Sequence, residues 1–580
     1  MKELEYPFEA EKILAKRKSL RRSLKEQQES WLQIKLAIVG GSTTKDIREI
    51  LELFLLNYGI EPVFWEGEYN RFYEELVFDN PELEAFQPDM IYIHTTNKNV
   101  NYYPAPEDGE AVIKEKLQLE YARYEKIWKE VAGKYHCSII QNNFELPYYR
   151  NYGNMDAVDI HGQVNFINEL NQCFYEYARK QDSFYICDIN YLSADYGLSK
   201  WAEPKYFYLY KYAVSPKAIP YLAYNVANII KSIYGKNKKC IALDLDNTLW
   251  GGIIAEDGAE NIVIGKETPE GEMYTAFQQY LKEKQKLGTL LTIASKNELK
   301  FALDGLARED MLLHKEDFAV IKANYEPKSQ NVIDTAKELK LLPESFVFVD
   351  DNPAERMIVK DAVPKVSVVS AENIEEVIYL LDRGGYFEPT KVTADDLQRA
   401  EMYHKEQLRK ELESASTDYE SYLKSLEMVT TIRPFDAESL GRITQLTNKS
   451  NQFNLTTRRY TQPELAKIAE QEEYITLYGR LKDKFGDNGI VSVIIAKKQD
   501  DAYVIDLWLM SCRVLKRNME YSMFDALVAA AKEKSAKKLR GEYIPTEKNG
   551  MVKEFYKELG FTLIGEVENR TTEWEYDLHS

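Results

Sequence analysis

The chain has 580 residues and a formal net charge of −19, because 94 acidic residues outnumber 75 basic ones. A nucleic-acid-binding protein of this size would need a basic surface, so the composition argues against nucleic-acid partners. No apolar run approaches the roughly 18 residues of a membrane span, and the five cysteines lack disulfide or metal spacing. We therefore expect a cytoplasmic protein of several domains, without membrane or nucleic-acid partners.

The first 236 residues divide into a charged segment and an alternating α/β pattern. Residues 1–30 are dense in charge and predict a helical arm. From 31 to 236, short apolar runs alternate with helical patterns, which predicts a flavodoxin-like α/β domain with a parallel sheet. The predicted strands are 35–39, 90–94, 138–141 and 184–188.

Ser42 follows the first predicted strand, in a Gly-Gly-Ser-Thr turn where a nucleophile or a phosphate-binding loop can form. The domain resembles the SGNH hydrolases, whose nucleophile follows the first strand and whose base is a late histidine. No histidine lies between His161 and His314, and a serine without its base is a weak nucleophile. We therefore predict an SGNH-like domain that binds or scaffolds rather than hydrolyses, with Ser42 as its candidate site.

The next block, residues 237–388, places polar side chains after successive apolar strands. Two aspartates and a threonine follow the first strand, a serine ends the second, and two aspartates follow the third. Between the second and third of these strands, a lysine precedes a helical run. Because the carboxyl ends of parallel strands meet at one edge of a sheet, we expect these side chains to form one site. They are Asp244, Asp246, Thr248, Ser295, Lys328, Asp350 and Asp351.

This set of side chains suits phosphoryl transfer. A carboxylate can attack phosphorus to form an aspartyl-phosphate, and we assign Asp244 as that nucleophile. Asp246 would protonate the leaving oxygen and then deprotonate the attacking water. Thr248, Ser295 and Lys328 would bind phosphoryl oxygens. The predicted Mg²⁺ ligands are Asp244, Asp246, Asp350 and Asp351. Asp246 would also bind through its backbone carbonyl.

The order Asp-x-Asp-x-Thr, Ser, Lys and Asp-Asp resembles the haloacid dehalogenase (HAD) superfamily of phosphatases and phosphotransferases. Longer runs are similar to the FkbH-like family of its subfamily IIIC. These runs are Leu-Asp-Leu-Asp-Asn-Thr-Leu-Trp-Gly-Gly, Val-Phe-Val-Asp-Asp-Asn-Pro-Ala-Glu-Arg and Asn-Gln-Phe-Asn-Leu-Thr-Thr-Arg-Arg-Tyr. The resemblance implies a doubly wound parallel-sheet core, Mg²⁺ as cofactor, and a phosphorylated metabolite of a polysaccharide or polyketide pathway as substrate.

Two features of this block bear on the substrate. Some relatives take a glyceryl group from an acyl phosphate and load it onto an acyl carrier protein, which is the alternative function. Ala294 stands where many relatives have cysteine, and this favours plain phosphatase chemistry. The space between Gly252 and Gly265 admits only a short flap, which we predict to be a hairpin through residues 256–258.

The last part of the chain consists of a linker and a mixed block. Residues 389–427 are charged and helical in pattern, and they predict a helical linker. Residues 428–580 predict strands at 491–497, 502–509 and 539–543, with helices at 521–535 and 552–559. This α+β pattern resembles the GNAT acyltransferases, and it completes the predicted α/β multidomain fold.

The resemblance to acyltransferases implies a third function, N-acyl transfer, with coenzyme A or a phosphopantetheine arm as cofactor. In that family a glycine-rich turn before a helix binds the pyrophosphate. Here the turn contains Arg513, Lys516 and Asn518, and both glycines are replaced, which argues against coenzyme A. Cys512 beside this turn is the candidate thioester residue. A non-catalytic scaffold is disfavoured because the phosphatase motifs are intact.

Overall fold

The computed structural model describes residues 1–27, 31–398, 402–403, 405–406, 408–409, 412–413, 416, 418–567 and 570–579. The chain forms two compact units. The first comprises Met1–Tyr234 and Tyr460–Lys467, and the second comprises Gly235–Arg459 and Ile468–Ser580. No helix in the described part of the chain is long and apolar enough to cross a bilayer.

The first unit is built on a five-stranded parallel sheet in the order β2-β1-β3-β4-β5. The strands are β1 (Leu32–Gly40), β2 (Ile60–Glu66), β3 (Met90–His94), β4 (Ser138–Asn142) and β5 (Phe184–Cys187). The helices are α1 (Ala10–Glu26), α2 (Lys45–Asn57), α3 (Phe72–Val77), α4 (Pro81–Phe86), α5 (Glu110–Tyr135), α6 (Gln163–Arg179), α7 (Ile189–Tyr196), α8 (Leu198–Trp201), α9 (Pro204–Tyr210) and α10 (Ile219–Ile233). Apolar side chains of both sheet faces are buried under these helices.

The charged segment before the first sheet is helical over α1, but it packs on the domain rather than standing apart as an arm. Ile13, Leu20 and Leu24 are buried in the same core cluster as the apolar residues of α2. Their spacing puts them on one face of the helix, and the charged residues occupy the others.

The second unit begins with another parallel sheet, in the order β10-β9-β6-β7-β8. The strands are β6 (Cys240–Leu243), β7 (Leu290–Ser295), β8 (Phe318–Ala323), β9 (Phe346–Asp350) and β10 (Ser367–Ser370). The helices are α11 (Ile254–Asp257), α12 (Pro269–Lys286), α13 (Leu299–Leu306), α14 (Lys328–Glu338), α15 (Pro353–Ala362) and α16 (Ile374–Arg383).

The flap after β6 differs from the predicted hairpin. Its ends do pair, since Gly251 and Val263 form an antiparallel bridge, but its tip is the helical turn α11. The Asp257 carboxylate accepts a hydrogen bond from the Ile253 N–H at 2.7 Å, which closes that turn. Gly258 ends it with a φ of +79°, a conformation that glycine adopts without strain.

The rest of the second unit surrounds a seven-stranded mixed sheet in the order β11-β12-β13-β14-β15-β17-β16. Neighbouring strands are antiparallel except for β14 and β15, which are parallel. The strands are β11 (Val429–Arg433), β12 (Tyr474–Asp483), β13 (Gly486–Gln499), β14 (Ala502–Met510), β15 (Lys538–Tyr543), β16 (Thr562–Val567) and β17 (Thr571–Asp577). The helices from the linker onwards are α17 (Ala394–Leu397), α18 (Tyr419–Ser425), α19 (Leu440–Lys449), α20 (Gln462–Glu470), α21 (Met519–Glu533) and α22 (Phe555–Glu558). Of these, α20 begins in Tyr460–Lys467, which belongs to the first unit.

Two parallel sheets and one mixed sheet confirm the predicted α/β multidomain fold class. The predicted linker, residues 389–427, is helical at both described ends, in α17 and α18. Part of it, including residues 399–401, lies outside the described residues. The predicted helix 552–559 is shorter, because only Phe555–Glu558 is α-helical.

Candidate active site

The polar residues predicted in the second unit meet at the carboxyl edge of its parallel sheet. Asp244 directly follows β6, Ser295 is the last residue of β7, and Asp350 is the last residue of β9. These three strands are neighbours, with β6 in the centre. The strand interiors are apolar and buried, so the fold leaves only the strand ends free to carry chemistry.

Lys328 joins two of these carboxylates. It is the first residue of α14, and its Nζ lies 2.6 Å from Asp244 Oδ2 and 2.7 Å from Asp350 Oδ2. All three side chains are buried. Burial alone would lower the pKa of Lys328, but the two carboxylates raise it above its usual value. The ammonium therefore stays charged and compensates part of the negative charge in the site.

The carboxylates outnumber the cation. Burial and the repulsion of Asp244 raise the pKa of Asp350 to about 6, against the attraction of Lys328. The same two causes raise the pKa of Asp351. Three carboxylates and one ammonium group leave a net negative charge in the pocket, and a further cation would relieve the imbalance.

Asp244, Asp350 and Asp351 form a group that could hold such a cation. One carboxylate oxygen from each lies within 4.8 Å of the others. An all-oxygen set of this size fits Mg²⁺, which accepts a few carboxylates and completes its shell with water and phosphate oxygens. The fourth predicted ligand, Asp246, is not part of this group in the described chain, and its carboxylate is engaged elsewhere.

Three N–H donors hold the carboxylate of Asp246. Its Oδ1 accepts from Trp250 Nε1 at 3.0 Å and from the Ile254 N–H at 3.1 Å. Its Oδ2 accepts from Asn297 Nδ2 at 2.8 Å. The side chain is thereby fixed next to the nucleophile without binding the same cation through its carboxylate. This placement suits a proton carrier more than a metal ligand.

The two predicted phosphate-binding hydroxyls are buried beside the carboxylates. Thr248 Oγ1 accepts a hydrogen bond from the Asp351 N–H at 3.1 Å, and Ser295 Oγ accepts from Asn297 Nδ2 at 3.3 Å. A hydroxyl that accepts one bond still has its own proton to donate. Both residues can therefore donate to a phosphoryl oxygen at this edge of the sheet.

Sequence reasoning assigned no role in the chemistry to three residues that position the site. Trp250 and Asn297 hold Asp246, as described above. Arg356 donates from Nη1 to the carbonyls of Asp350 and Asp351, at 2.8 and 2.6 Å, and fixes the turn that carries both. Arg356 is the last residue of the motif Val-Phe-Val-Asp-Asp-Asn-Pro-Ala-Glu-Arg. Its place in that motif is the sequence feature that could have identified it.

The chain resembles a solved structure over about two thirds of its length. This is the crystal structure of the N-terminal part of the protein BF1531 from Bacteroides fragilis, which contains a phosphatase domain complexed with Mg. The two chains are 26% identical, the match covers 65% of this chain and 99% of that one, and the TM-score is 0.59. Residues 35–231 match the family model for the FkbH N-terminal domain. The chain therefore contains an FkbH N-terminal domain. The predicted HAD-type phosphatase domain is thus confirmed.

Other similarities cover a smaller part of the chain. The ribosomal-protein-S18-alanine N-acetyltransferase from Escherichia coli is 11% identical over 26% of this chain and 94% of that one, with a TM-score of 0.21. The spermidine N-acetyltransferase from Vibrio cholerae, in complex with CoA and spermine, is 10% identical over 26% and 96%, with a TM-score of 0.22. No curated protein matches the sequence.

The turn considered as a coenzyme A site has an acidic side chain beside it. Arg513 and Lys516 precede α21, and Asn518 is the N-cap residue of that helix. The Glu520 carboxylate accepts the Lys516 N–H at 2.9 Å, so an acidic group lies where an anion would approach. Cys512 is in a 3₁₀ turn, and its Sγ donates to the Lys340 carbonyl at 3.4 Å. None of these contacts favours acyl transfer.

Proposed function

We propose that the chain is a Mg²⁺-dependent phosphatase that removes a phosphoryl group from a phosphorylated metabolite of a biosynthetic pathway. The observation that carries the proposal is the position of Asp244. Its carboxylate pairs with Lys328 at 2.6 Å and lies beside Asp350 and Asp351, which fit a divalent cation. Asp246 is held separately, where it can transfer protons.

The reaction would proceed in two displacements. In the first, an Asp244 oxygen bonds to phosphorus while the bond to the substrate oxygen breaks, and Asp246 donates a proton to that leaving oxygen. In the second, Asp246 takes a proton from water as the water oxygen attacks the aspartyl-phosphate. Inorganic phosphate then leaves, and the Asp244 carboxylate is restored.

Charge compensation comes from both the chain and the cofactor. Lys328 and the hydroxyls of Thr248 and Ser295 would stabilise the phosphoryl oxygens as charge spreads over them. Mg²⁺ bound by Asp244, Asp350 and Asp351 would neutralise the repulsion between the nucleophile and a phosphate dianion.

Release to water is favoured over transfer of an acyl group. Ala294 is buried directly before Ser295, at the end of β7, and it offers no thiol to hold an acyl group. Loading of a glyceryl group onto an acyl carrier protein is the alternative function. The carrier protein is a prediction from the family resemblance.

Phosphate release from a panel of phosphorylated metabolites, with and without Mg²⁺, tests the proposal. Asp244→Asn should lower kcat by about a thousandfold or more, because an amide cannot form the aspartyl-phosphate. The matched control is Asp334→Asn on α14, whose side chain is 46% exposed and pairs with Lys337. Substantial Mg²⁺-dependent turnover by Asp244→Asn would refute the assignment.

A glyceryl acyl phosphate in the same panel separates the two substrate classes. Hydrolysis of ordinary monoesters supports a metabolite phosphatase. Release from the acyl phosphate alone, accelerated by an acyl carrier protein, would establish the transferase alternative instead.

A further inference from the structure

The carboxyl edge of the first sheet also gathers polar side chains. His94 is the last residue of β3 and is paired in register with Gly40, the last residue of β1. The turn after β1 stays close to it, because the Gly41 N–H donates to the His94 carbonyl at 3.0 Å. Ser42 is the next residue in this turn, and Asn142 ends the neighbouring strand β4.

The hydrogen bonds of His94 fix the position of its ring proton. Asn142 Oδ1 accepts from the Tyr92 hydroxyl at 3.0 Å, and Asn142 Nδ2 donates to the Thr95 carbonyl at 3.2 Å. The amide therefore presents an N–H group to His94 Nδ1, which lies 2.9 Å from Asn142 Nδ2 and 3.3 Å from the Tyr92 hydroxyl. Since Nδ1 accepts, the proton of the neutral ring is on Nε2.

This Nε2–H group is buried without a partner. His94 is 0% exposed, and its Nε2 has no hydrogen bond within the described chain. Burial lowers the pKa of His94 to about 4, so the ring is neutral near pH 7. The residue then offers a buried N–H donor at the carboxyl end of β3.

Ser42 is a second unpartnered donor, in the turn that follows β1 at the same edge of the sheet. It is 2% exposed, and its Oγ has no hydrogen-bond partner among the residues described. It lies on the path from β1 to α2, and α2 covers the sheet face that carries Tyr92. The turn is held in place, because Asn99 Nδ2 donates to the Gly41 carbonyl at 3.1 Å and the Thr43 N–H donates to the Lys211 carbonyl at 3.0 Å.

The amino end of α2 adds further donors beside Ser42. Thr44, the residue before the helix, donates its hydroxyl to Glu66 Oε1 at 2.6 Å and makes no side-chain cap. The first N–H groups of α2 and its dipole thus favour an anion at this edge. Buried donors without partners are costly, so a cluster of them indicates a ligand that completes their hydrogen bonds.

We infer that the carboxyl edge of the first sheet is a second ligand site, which binds an oxyanion group of a small molecule through His94 Nε2–H and the Ser42 hydroxyl. The shared chemistry is that of a carboxylate or a phosphate. The site binds and does not hydrolyse, because His94 already has its proton on Nε2 and cannot accept one from Ser42 there.

Two acidic residues on the same edge bear on the choice of ligand. Glu66, which accepts the Thr44 hydroxyl, is also paired with Arg48 at 3.1 Å. Glu145 follows β4, and its Oε2 accepts the Asn97 N–H at 3.2 Å. Burial raises the pKa of Glu145 to about 7, so it carries less than a full negative charge at neutral pH. Its presence does not prevent an anion from binding nearby.

Nuclear magnetic resonance of the full chain with ¹⁵N-labelled histidine tests the site directly. The His94 signal, assigned by its loss in His94→Gln, should show the Nε2–H form. Titration with sodium acetate and with sodium phosphate, at constant ionic strength, should shift it in a saturable manner. A shift with acetate alone identifies a carboxylate ligand, one with phosphate alone a phosphoryl ligand, and one with both an oxyanion of either kind.

Ser42→Ala should weaken the binding of the effective probe about fivefold to tenfold, the usual effect of one lost hydrogen bond. Ser199→Ala, on an exposed serine of the same unit, should leave it unchanged. In a parallel thermal-stability assay, the same probe should still stabilise the His94→Gln variant, which keeps an N–H donor. It should no longer stabilise the His94→Phe variant.

The inference would be overturned by any of three results. These are an Nδ1–H or charged His94 near pH 7, no response of the His94 signal to either probe, and a response that Ser42→Ala does not weaken. Hydrolysis of a simple ester that depends on Ser42 would also contradict it, because the site would then be catalytic.

Discussion

The carboxylate of Asp246 is positioned by donors that come from distant parts of the chain. Trp250 and Ile254 belong to the flap that follows β6, whereas Asn297 follows β7. A proton carrier must face the leaving oxygen in a fixed direction, and three hydrogen bonds leave the carboxylate little freedom to rotate. Trp250 is fully buried, so its main contribution to the site is this hydrogen bond and the packing of the flap.

Trp250→Phe should therefore reduce turnover more than substrate binding. The loss of one hydrogen bond to a charged group is worth about 1.5–3 kcal/mol, so kcat should fall roughly tenfold to a hundredfold with little change in KM. Steady-state phosphate release and a thermal unfolding curve would be measured together. Trp201→Phe is the matched control, because Trp201 is equally buried but its Nε1 has no partner among the described residues. An unchanged kcat in Trp250→Phe would mean that this bond does not position Asp246.

At this scale, the sequence reveals which residues carry the chemistry but not how they are held. Asp244 and Asp350 could be placed because each follows an apolar strand, and strand ends are adjacent in any parallel sheet. The bond from Asn297 to Asp246 joins residues 51 positions apart, and it depends on the side-chain rotamers of both. His94 was missed for a similar reason, since a histidine within an apolar strand has no local signature of an unpartnered nitrogen.

In the two parallel sheets the interior strands were predicted, whereas three of the four edge strands were missed. The central strands β1, β3, β6 and β9 have continuous apolar runs because both of their faces are covered. The edge strands β2, β8 and β10 were missed because they alternate between buried and half-exposed positions. β2 also contains Pro62, which sequence patterns associate with the absence of a strand.

Helix α1 illustrates how composition conceals an apolar face. Its charged residues form ion pairs with α2, including Arg17 with Glu49 at 3.2 Å and Arg21 with Glu52 at 2.8 Å. The apolar residues between them are few but regularly spaced, and they pack on α2. The overall charge of the segment therefore predicts its helix but not its attachment to the domain.

Ile13→Ala should loosen α1 from the first unit. Ile13 is 0% exposed, and truncating a buried isoleucine to alanine costs about 2–5 kcal/mol through lost burial and the cavity left behind. Hydrogen exchange of the α1 amides should accelerate, while exchange in the phosphatase sheet stays the same. Lys16→Ala, at an exposed position of the same helix, serves as the control. Equal exchange rates in both variants would show that α1 is not held by this contact.

In the second unit as a whole, a buried ion cluster ties the linker to the mixed sheet. Asp483, at the end of β12, accepts two hydrogen bonds from Arg409 of the linker, at 2.9 and 2.8 Å. Arg517, in the turn before α21, lies 3.4 Å from Asp483 and 2.8 Å from Glu406. Two arginines and two acids balance in charge, and both guanidinium groups are only 4% exposed. Arg517 is thus committed to a structural contact rather than to an anionic ligand.

Asp483→Ala should destabilise this part of the molecule by about 3–5 kcal/mol, because it leaves two buried guanidinium groups with one acid between them. Limited proteolysis should cut near residues 399–417 faster. Asp487→Ala, which breaks the more exposed pair with Arg480 on the neighbouring strands, should cost no more than about 1 kcal/mol.

Acidification provides an independent test of the same cluster. Burial would raise the pKa of Asp483, but the hydrogen bonds and charge of Arg409 outweigh it and lower that pKa below its usual value. An acid with a lowered pKa stabilises the fold above its unfolded value, about 3.9, and loses that contribution as the pH falls further. The gap in proteolysis rate between the wild-type chain and Asp483→Ala should therefore narrow below about pH 4. A gap that is independent of pH would assign the effect of the substitution to lost packing instead of lost charge.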